Sequence, residues 1–159
     1  MKKNVLFVCL GNICRSPSAE AVFKHLVGKK GEDGNYFIDS AGTSAWHAGE
    51  KADARMKRHA KKRGVELASV SRKFVPEDFE RFDYIIAMDR ENMDDLKRMA
   101  RDKNDLDKLY MMTDFSQKFS YHEIPDPYYG GNEGFELVLD LLEDANRGLL
   151  DYIKSFERA

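Results

Sequence analysis

Near the amino terminus, Asn4–Val8 forms a short apolar run with β-branched content, closed by Gly11-Asn12. Continuous rather than alternating apolarity is what a strand buried on both faces requires, so this run predicts a central parallel strand. Ser16-Pro17 then offers a favoured helix cap followed by a favoured first residue. Ala19, Val22, Phe23, Leu26 and Val27 follow on one face at helical spacing. Tyr36–Asp39 reads as a strand, Asp53–Arg63 as a helix stopped by Gly64, and Pro76–Phe82 as a short helix with proline at its start. Tyr84–Met88 is a second clear strand, Glu91–Arg101 a polar helix and Lys108–Met112 a fourth strand. The last helix spans Glu133–Phe156, with Phe135, Val138, Leu139, Leu142, Ala145, Leu149, Ile153 and Phe156 in one stripe.

This alternation predicts an α/β fold in which a parallel sheet is covered by helices on both faces. Ligands of such sheets sit beyond the carboxyl ends of the strands. The residues following Val8, Asp39, Met88 and Met112 are therefore where chemistry is expected.

Composition changes the picture only by exclusion. The 159 residues contain no repeat and no low-complexity linker, and read as one domain over 1–159. A chain of that length buries roughly 70% of its unfolded surface, so stability requires neither metal nor disulfide. Charged residues make up 34% with both signs interspersed, for a net charge of −2, which indicates neither a nucleic-acid nor a membrane partner. The apolar run after Lys3 is too short for a secretory signal, and no stretch reaches the ~18 apolar residues of a membrane helix. Cys9 and Cys14 are the two cysteines, a poor basis for a disulfide framework, and a cytoplasmic location is expected. His25, His47, His59 and His122 have no metal-ligand spacing and read as surface residues. No nucleotide-binding fingerprint is present, and neither metal nor cofactor is expected. The basic run Arg58–Arg63 and the acidic pair Asp94-Asp95 read as solvated faces.

The segment after the first strand is Cys9-Leu10-Gly11-Asn12-Ile13-Cys14-Arg15-Ser16. A cysteine and an arginine six apart mean little alone; their position between a strand end and a capped helix is what carries weight. Gly11 and Asn12 are residue types that accept left-handed backbone angles. Such a loop can turn successive N–H groups toward an anion, with the positive end of a helix behind them, and so suits a dianionic phosphate. Arg15 can add a bidentate clamp. The same field favours a thiolate at Cys9, placing a nucleophile beneath phosphorus. The competing reading makes Cys9 a buried structural cysteine and Arg15 a surface charge. Asp126, in Pro125-Asp126-Pro127-Tyr128-Tyr129-Gly130-Gly131, is a candidate general acid held outside any helix by two prolines. The same string also suits an ordinary Asx-Pro turn, and spacing does not choose between them.

Taken in order, Cys9–Ser16, Asp39-Ser40-Ala41-Gly42-Thr43, Phe82-Asp83-Tyr84 with Met88-Asp89, and Asp126-Pro127-Tyr128-Tyr129 resemble the low-molecular-weight protein tyrosine phosphatase family over nearly the whole chain. The resemblance implies a flavodoxin-like fold with a four-stranded parallel sheet and a cysteinyl-phosphate intermediate. It makes Cys9 the nucleophile, Arg15 the transition-state clamp, and Asp126 the acid that protonates the leaving phenol and then activates water. Phosphate would sit on Leu10, Gly11, Asn12, Ile13, Cys14, Arg15 and Ser16. Asn12 and Ser16 would hold the loop, with Ser16 bonded to the Cys9 sulfur and Ser40 bonded to Asn12. Asp89 would buttress the pocket. Leu10, Trp46, Tyr128 and Tyr129 would line the substrate slot, with core packing the other account of Trp46. Cys14 would form a protective disulfide with Cys9 under peroxide. The implied partners are phosphotyrosine-containing proteins, with inorganic phosphate or other oxyanions as product or inhibitor, and a monomer is expected.

One departure is visible, since many members carry a histidine that fixes the loop asparagine where this chain has Ser69. That substitution predicts a less rigidly held loop. Thioredoxin-coupled arsenate reductases share the loop but need a further cysteine pair that is missing here. Protein-arginine phosphatases carry Thr where this chain has Ile13, whose apolar side chain favours an aromatic substrate. A phosphotyrosine-binding module without turnover is the remaining alternative, and it would require neither the thiolate nor the acid.

Overall fold

The computed structural model describes residues 2–128 and 130–157. Strands β1 (Lys3–Cys9), β2 (Tyr36–Gly42), β3 (Tyr84–Ala87) and β4 (Leu109–Met111) form one parallel sheet in the order β2-β1-β3-β4. The helices are α1 (Arg15–Lys29), α2 (Ala54–Lys61), α3 (Asp78–Arg81), α4 (Arg90–Met99), α5 (Lys103–Leu106) and α6 (Asn132–Glu157). This is a flavodoxin-like arrangement. Among the described residues, no helix is long and apolar enough to cross a membrane.

Side chains alternate across a strand, and β1 uses both faces. Val5, Phe7 and Cys9 join a core with Phe23 of α1 and Leu139 and Leu142 of α6. Leu6 and Val8 pack on the opposite face with Phe74, Phe79, Phe82 and Leu96. Cys9 is thus delivered at the carboxyl end of the central strand, on the α1 side. The strand order reverses between β1 and β3, and a crevice forms where the chain departs from β1 in both directions.

The boundaries differ from the sequence expectation in instructive places. Helix α1 begins at Arg15 with Cys14 as its cap, not at Ser16-Pro17, because the Ser16 hydroxyl is engaged by the loop instead. Helix α2 is shorter than Asp53–Arg63. The Asp53 side chain caps it by accepting from the Arg55 and Met56 N–H groups, and Gly64 turns the chain out at φ 78°. Helix α4 starts one residue early on a reciprocal cap between Asp89 and Asn92. Helix α5, four residues long, is too short for a periodic signal and was not expected.

Helix α6 buries Phe135, Val138, Leu139, Leu142, Ala145, Leu149 and Ile153, whereas Phe156, placed in the same stripe, is exposed. Gly148 lets α6 close onto the turn after β4, since a Cβ there would lie 1.8 Å from the Phe115 carbonyl oxygen.

Candidate active site

The chain leaves β1 at Cys9 and enters α1 at Arg15, and the five residues between form a tight loop. Asn12 takes φ 55°, the left-handed conformation Asn tolerates better than most residues. Among the described residues, the backbone N–H groups of Leu10, Gly11, Asn12, Ile13 and Cys14 find no protein acceptor. No acidic residue occupies the first turn of α1, so the positive end of its dipole is unopposed there.

The loop is held from outside. The Arg72 N–H donates to Asn12 Oδ1 at 3.0 Å, the Ser71 hydroxyl to the Gly11 carbonyl at 2.9 Å, and the Asp53 N–H to the Ile13 carbonyl at 2.7 Å. Thr43 and Ser44 N–H groups reach the Cys9 and Leu10 carbonyls at 2.9 and 3.0 Å. Gly42 permits that approach, since a Cβ there would lie 2.7 Å from the Leu10 carbonyl oxygen. Inside the loop, Asn12 Nδ2 donates to Ser16 Oγ at 2.7 Å, and Ser16 Oγ lies 3.0 Å from Cys9 Sγ.

Two expectations need correction. Ser40 does not bond Asn12; its hydroxyl donates to Glu20 Oε1 at 2.6 Å, and Lys24 occupies the other oxygen of this buried carboxylate. Ser69 does not leave Asn12 unsupported either. It lies beside Glu20 and Lys24 at a small cavity, while the asparagine oxygen is satisfied by the Arg72 main chain.

Arg15 is 3% exposed, and its guanidinium donates from Nη1 to Asp89 Oδ2 at 2.7 Å and to the Ile124 carbonyl at 3.0 Å. Nη2 lies 3.5 Å from Asp126 Oδ2. Burial alone would lower the Arg15 pKa; Cys9, the Asp89 hydrogen bond and Asp126 outweigh it and keep the side chain charged. Burial, with Asp53, Cys9 and Asp126 acting in the same sense, pushes the Cys14 thiol far above its ordinary range. Cys14 is therefore a neutral thiol beside the cradle. Both cysteines are free.

Asp126 is 42% exposed and accepts the Tyr128 N–H on Oδ1 at 3.0 Å, leaving Oδ2 toward Arg15. The Asx turn read from the sequence is thus present at the candidate acid itself. A pocket of about 360 Å³ is lined by the loop residues Cys9, Leu10, Gly11, Ile13, Cys14 and Arg15 together with Ser44, Trp46, His47, Asp126 and Tyr128. Trp46 is 86% exposed, which removes the core-packing account, and it stacks on His47. Tyr129 lies outside the described residues.

His47 was read as a surface residue but lines this pocket and pairs with Glu50 at 2.9 Å. His59, also read as surface, is largely buried and pairs with Glu136 of α6. Sequence reasoning also missed Arg55. Its guanidinium pairs with Asp53 at 3.1 Å, donates to the Tyr128 carbonyl at 2.8 Å and lies over the Tyr128 ring at 5.5 Å. Burial raises the Asp53 carboxyl, but Arg55 and the capped N–H groups outweigh it and hold it below the usual carboxylate range.

A nucleophile-bearing loop rich in unpaired N–H groups, a buried arginine and a facing carboxyl suit displacement at phosphorus. Comparison with known proteins agrees. Residues 4–158 match the family described as low molecular weight phosphotyrosine protein phosphatase. A putative low molecular weight protein-tyrosine-phosphatase of Synechocystis is 47% identical over 92% of this chain and 93% of its own. The crystal structure of an Entamoeba histolytica protein tyrosine phosphatase, with Hepes in its active site, superposes at a TM-score of 0.95. It is 44% identical and covers 98% of this chain and 99% of its own. A Drosophila arginine phosphatase superposes at 0.88 with 34% identity, over 97% of this chain and 98% of its own. With the family matched over almost its full length and the cradle at the end of β1, the chain belongs to the low molecular weight phosphotyrosine protein phosphatases.

Proposed function

We propose that the chain hydrolyses phosphotyrosine in proteins through a cysteinyl-phosphate intermediate. The observation that carries this reading is the set of unpaired N–H groups of Leu10–Cys14 in the loop that follows Cys9, with charged Arg15 lining the same pocket as the cysteine. The Cys9 thiolate attacks phosphorus while the bond to the tyrosyl oxygen breaks, and the leaving phenolate takes the proton of Asp126. Water then attacks the cysteinyl phosphate and gives its proton to the Asp126 carboxylate, releasing inorganic phosphate and the thiolate. The Ser16 hydroxyl, 3.0 Å from the sulfur, stabilises the thiolate as leaving group in that second step. The Leu10–Cys14 amides and Arg15 neutralise the equatorial oxygens throughout.

An arginine phosphatase is the second reading, favoured by the likeness to the Drosophila structure. Ile13, lining the same pocket as Trp46 and Tyr128, argues for an aryl ring instead. Phosphate release in EDTA from p-nitrophenyl phosphate, a phosphotyrosine peptide and a phosphoarginine peptide tests the proposal, with Cys9→Ser as control. Turnover of the first two, abolished in the variant, is expected. Preference for phosphoarginine overturns the substrate assignment, and oxyanion binding without any turnover overturns the enzymatic mechanism.

A further inference from the structure

Seven of the chain's 26 basic residues fall within Lys51–Arg63, where Asp53 is the one acid, although the whole chain has a net charge of −2. Helix α2 divides these cations by face. Arg55 and His59, with Arg63 just beyond the helix, are spent in ion pairs with Asp53, Glu136, Asp140 and Glu143. Lys57, Arg58 and Lys61 make no ion pair among the described residues and line a groove of about 540 Å³ with Val65, Glu66 and Leu67. Its volume exceeds the 360 Å³ of the catalytic pocket.

The arrangement is repulsive as it stands. Lys57 and Lys61 are one turn apart on the same face, a spacing at which like charges destabilise a helix. The helix dipole favours cations only in the last turn. Lys57 lies toward the other end, where it is half-buried without a carboxylate partner. Helix α2 also starts at the catalytic site: the Asp53 N–H is bonded to the Ile13 carbonyl, and Arg55 to the carbonyl of Tyr128 on the pocket wall.

From this we infer that the groove along α2 docks an acidic segment of the phosphoprotein substrate, a reading that rests on the proposed phosphatase activity. At 1.5 Å per helical residue, Lys57 and Lys61 lie roughly 6 and 12 Å along α2 from Asp53. An extended peptide advances about 3.3 Å per residue, so the acidic residues are expected about two to four positions from the phosphotyrosine. Val65 and Leu67 give the groove an apolar floor for intervening side chains. Lys57, Arg58 and Lys61 supply the attraction.

The test compares phosphotyrosine peptides carrying three glutamates at those positions, on either side, with glutamine counterparts. The parent is compared with the triple variant Lys57→Glu/Arg58→Glu/Lys61→Glu, which keeps good helix formers in α2. At low salt the parent is expected to favour one glutamate peptide by about three- to tenfold in kcat/KM, the reach of a few exposed ion pairs. That preference should vanish in the triple variant and in about 0.5 M salt, while p-nitrophenyl phosphate turnover stays the same. Equal kcat/KM on glutamate and glutamine peptides, or a preference surviving in the variant, overturns the docking site. Fluorescence anisotropy of the same peptides on Cys9→Ser reads docking without turnover. An inactive parent whose Cys9→Ser form still prefers glutamate peptides therefore sinks the catalytic reading and leaves the groove. Sedimentation with phosphatidylserine-rich vesicles, lost in the triple variant and without peptide preference, would assign the patch to a membrane surface instead.

Discussion

Arg55 ties the two halves of the proposed catalytic site together, and its removal makes a quantitative prediction. The Asp53 main chain holds the phosphate loop at Ile13, its carboxylate holds Arg55, and Arg55 holds the Tyr128 carbonyl two residues beyond Asp126. The guanidinium also lies over the Tyr128 and Phe135 rings, at 5.5 and 4.9 Å from their centroids. A hydrogen bond from a charged donor contributes about 1.5–3 kcal/mol and an exposed cation–π contact about 0.5–1 kcal/mol. The Arg55 side chain is 38% exposed, so the lower ends apply and part is lost to screening. About 1.4 kcal/mol then separates the held acid loop from the released one, a tenfold change in rate where Asp126 is needed. Arg55→Ala is expected to lower kcat about tenfold on phenyl phosphate, whose leaving group requires a proton, and by twofold or less on p-nitrophenyl phosphate. Arg55→Lys, which keeps the charge without the planar fork, should fall between. Thermal melting of each variant checks that the fold survives. Equal losses on both substrates, or none on either, would refute a positioning role acting through Asp126.

Three further outcomes follow from the same contacts. Ser40→Ala removes the donor to buried Glu20 and should cost about 1–3 kcal/mol of stability by urea denaturation, while kcat stays near the parent value; a collapse of kcat at unchanged stability would restore a direct link from Ser40 to the loop. The lowered Asp53 pKa adds stability that is complete above the ordinary carboxylate range of about 4 and lost as pH falls through its lower folded value. Melting from pH 6 to 3 should therefore drop less steeply in Asp53→Asn than in the parent, and parallel curves would contradict this. Cys14→Ser should recover less activity than the parent after peroxide and reductant, because a Cys9 sulfenic acid loses its resolving thiol. The neutral state of Cys14 predicts that resolution quickens as pH rises, readable by mass spectrometry of the disulfide.

The legible parts of this chain are those whose side chains carry their own signal. β1 is buried on both faces and reads as continuous apolarity, and α6 buries seven residues of its stripe. Cys9 and Arg15 stood out by their position between a strand end and a helix, whereas the string around Asp126 suited an Asx-Pro turn as well as an acid and was chosen only by family likeness. The supports of the loop are another matter. Arg72, Asp53, Thr43 and Ser44 act through main-chain N–H groups, which every residue but proline possesses. Ser40 was given to Asn12 by family likeness, whereas Glu20, a polar residue inside α1, is the partner it meets. The α5 turn is too short to establish a period, whereas the fourth strand, read over Lys108–Met112, forms over Leu109–Met111. His47 and His59 looked superficial because histidine spacing speaks to metal ligation and says nothing about ring stacking.

The proposed nucleophile and the proposed acid also belong to different levels of local stability. Cys9 ends the central strand, whose register with β2 runs through Cys9 itself and with β3 through Val8, and it is 2% exposed, so its amide is expected among the slowest to exchange with solvent. Asp126 stands on a half-exposed connection tethered by Arg55 and an Asx turn. Mild denaturant should open that connection well before the sheet. The molecule then passes through a form that still holds vanadate in its cradle but can no longer protonate a phenol, so oxyanion affinity outlasts turnover as the protein loosens.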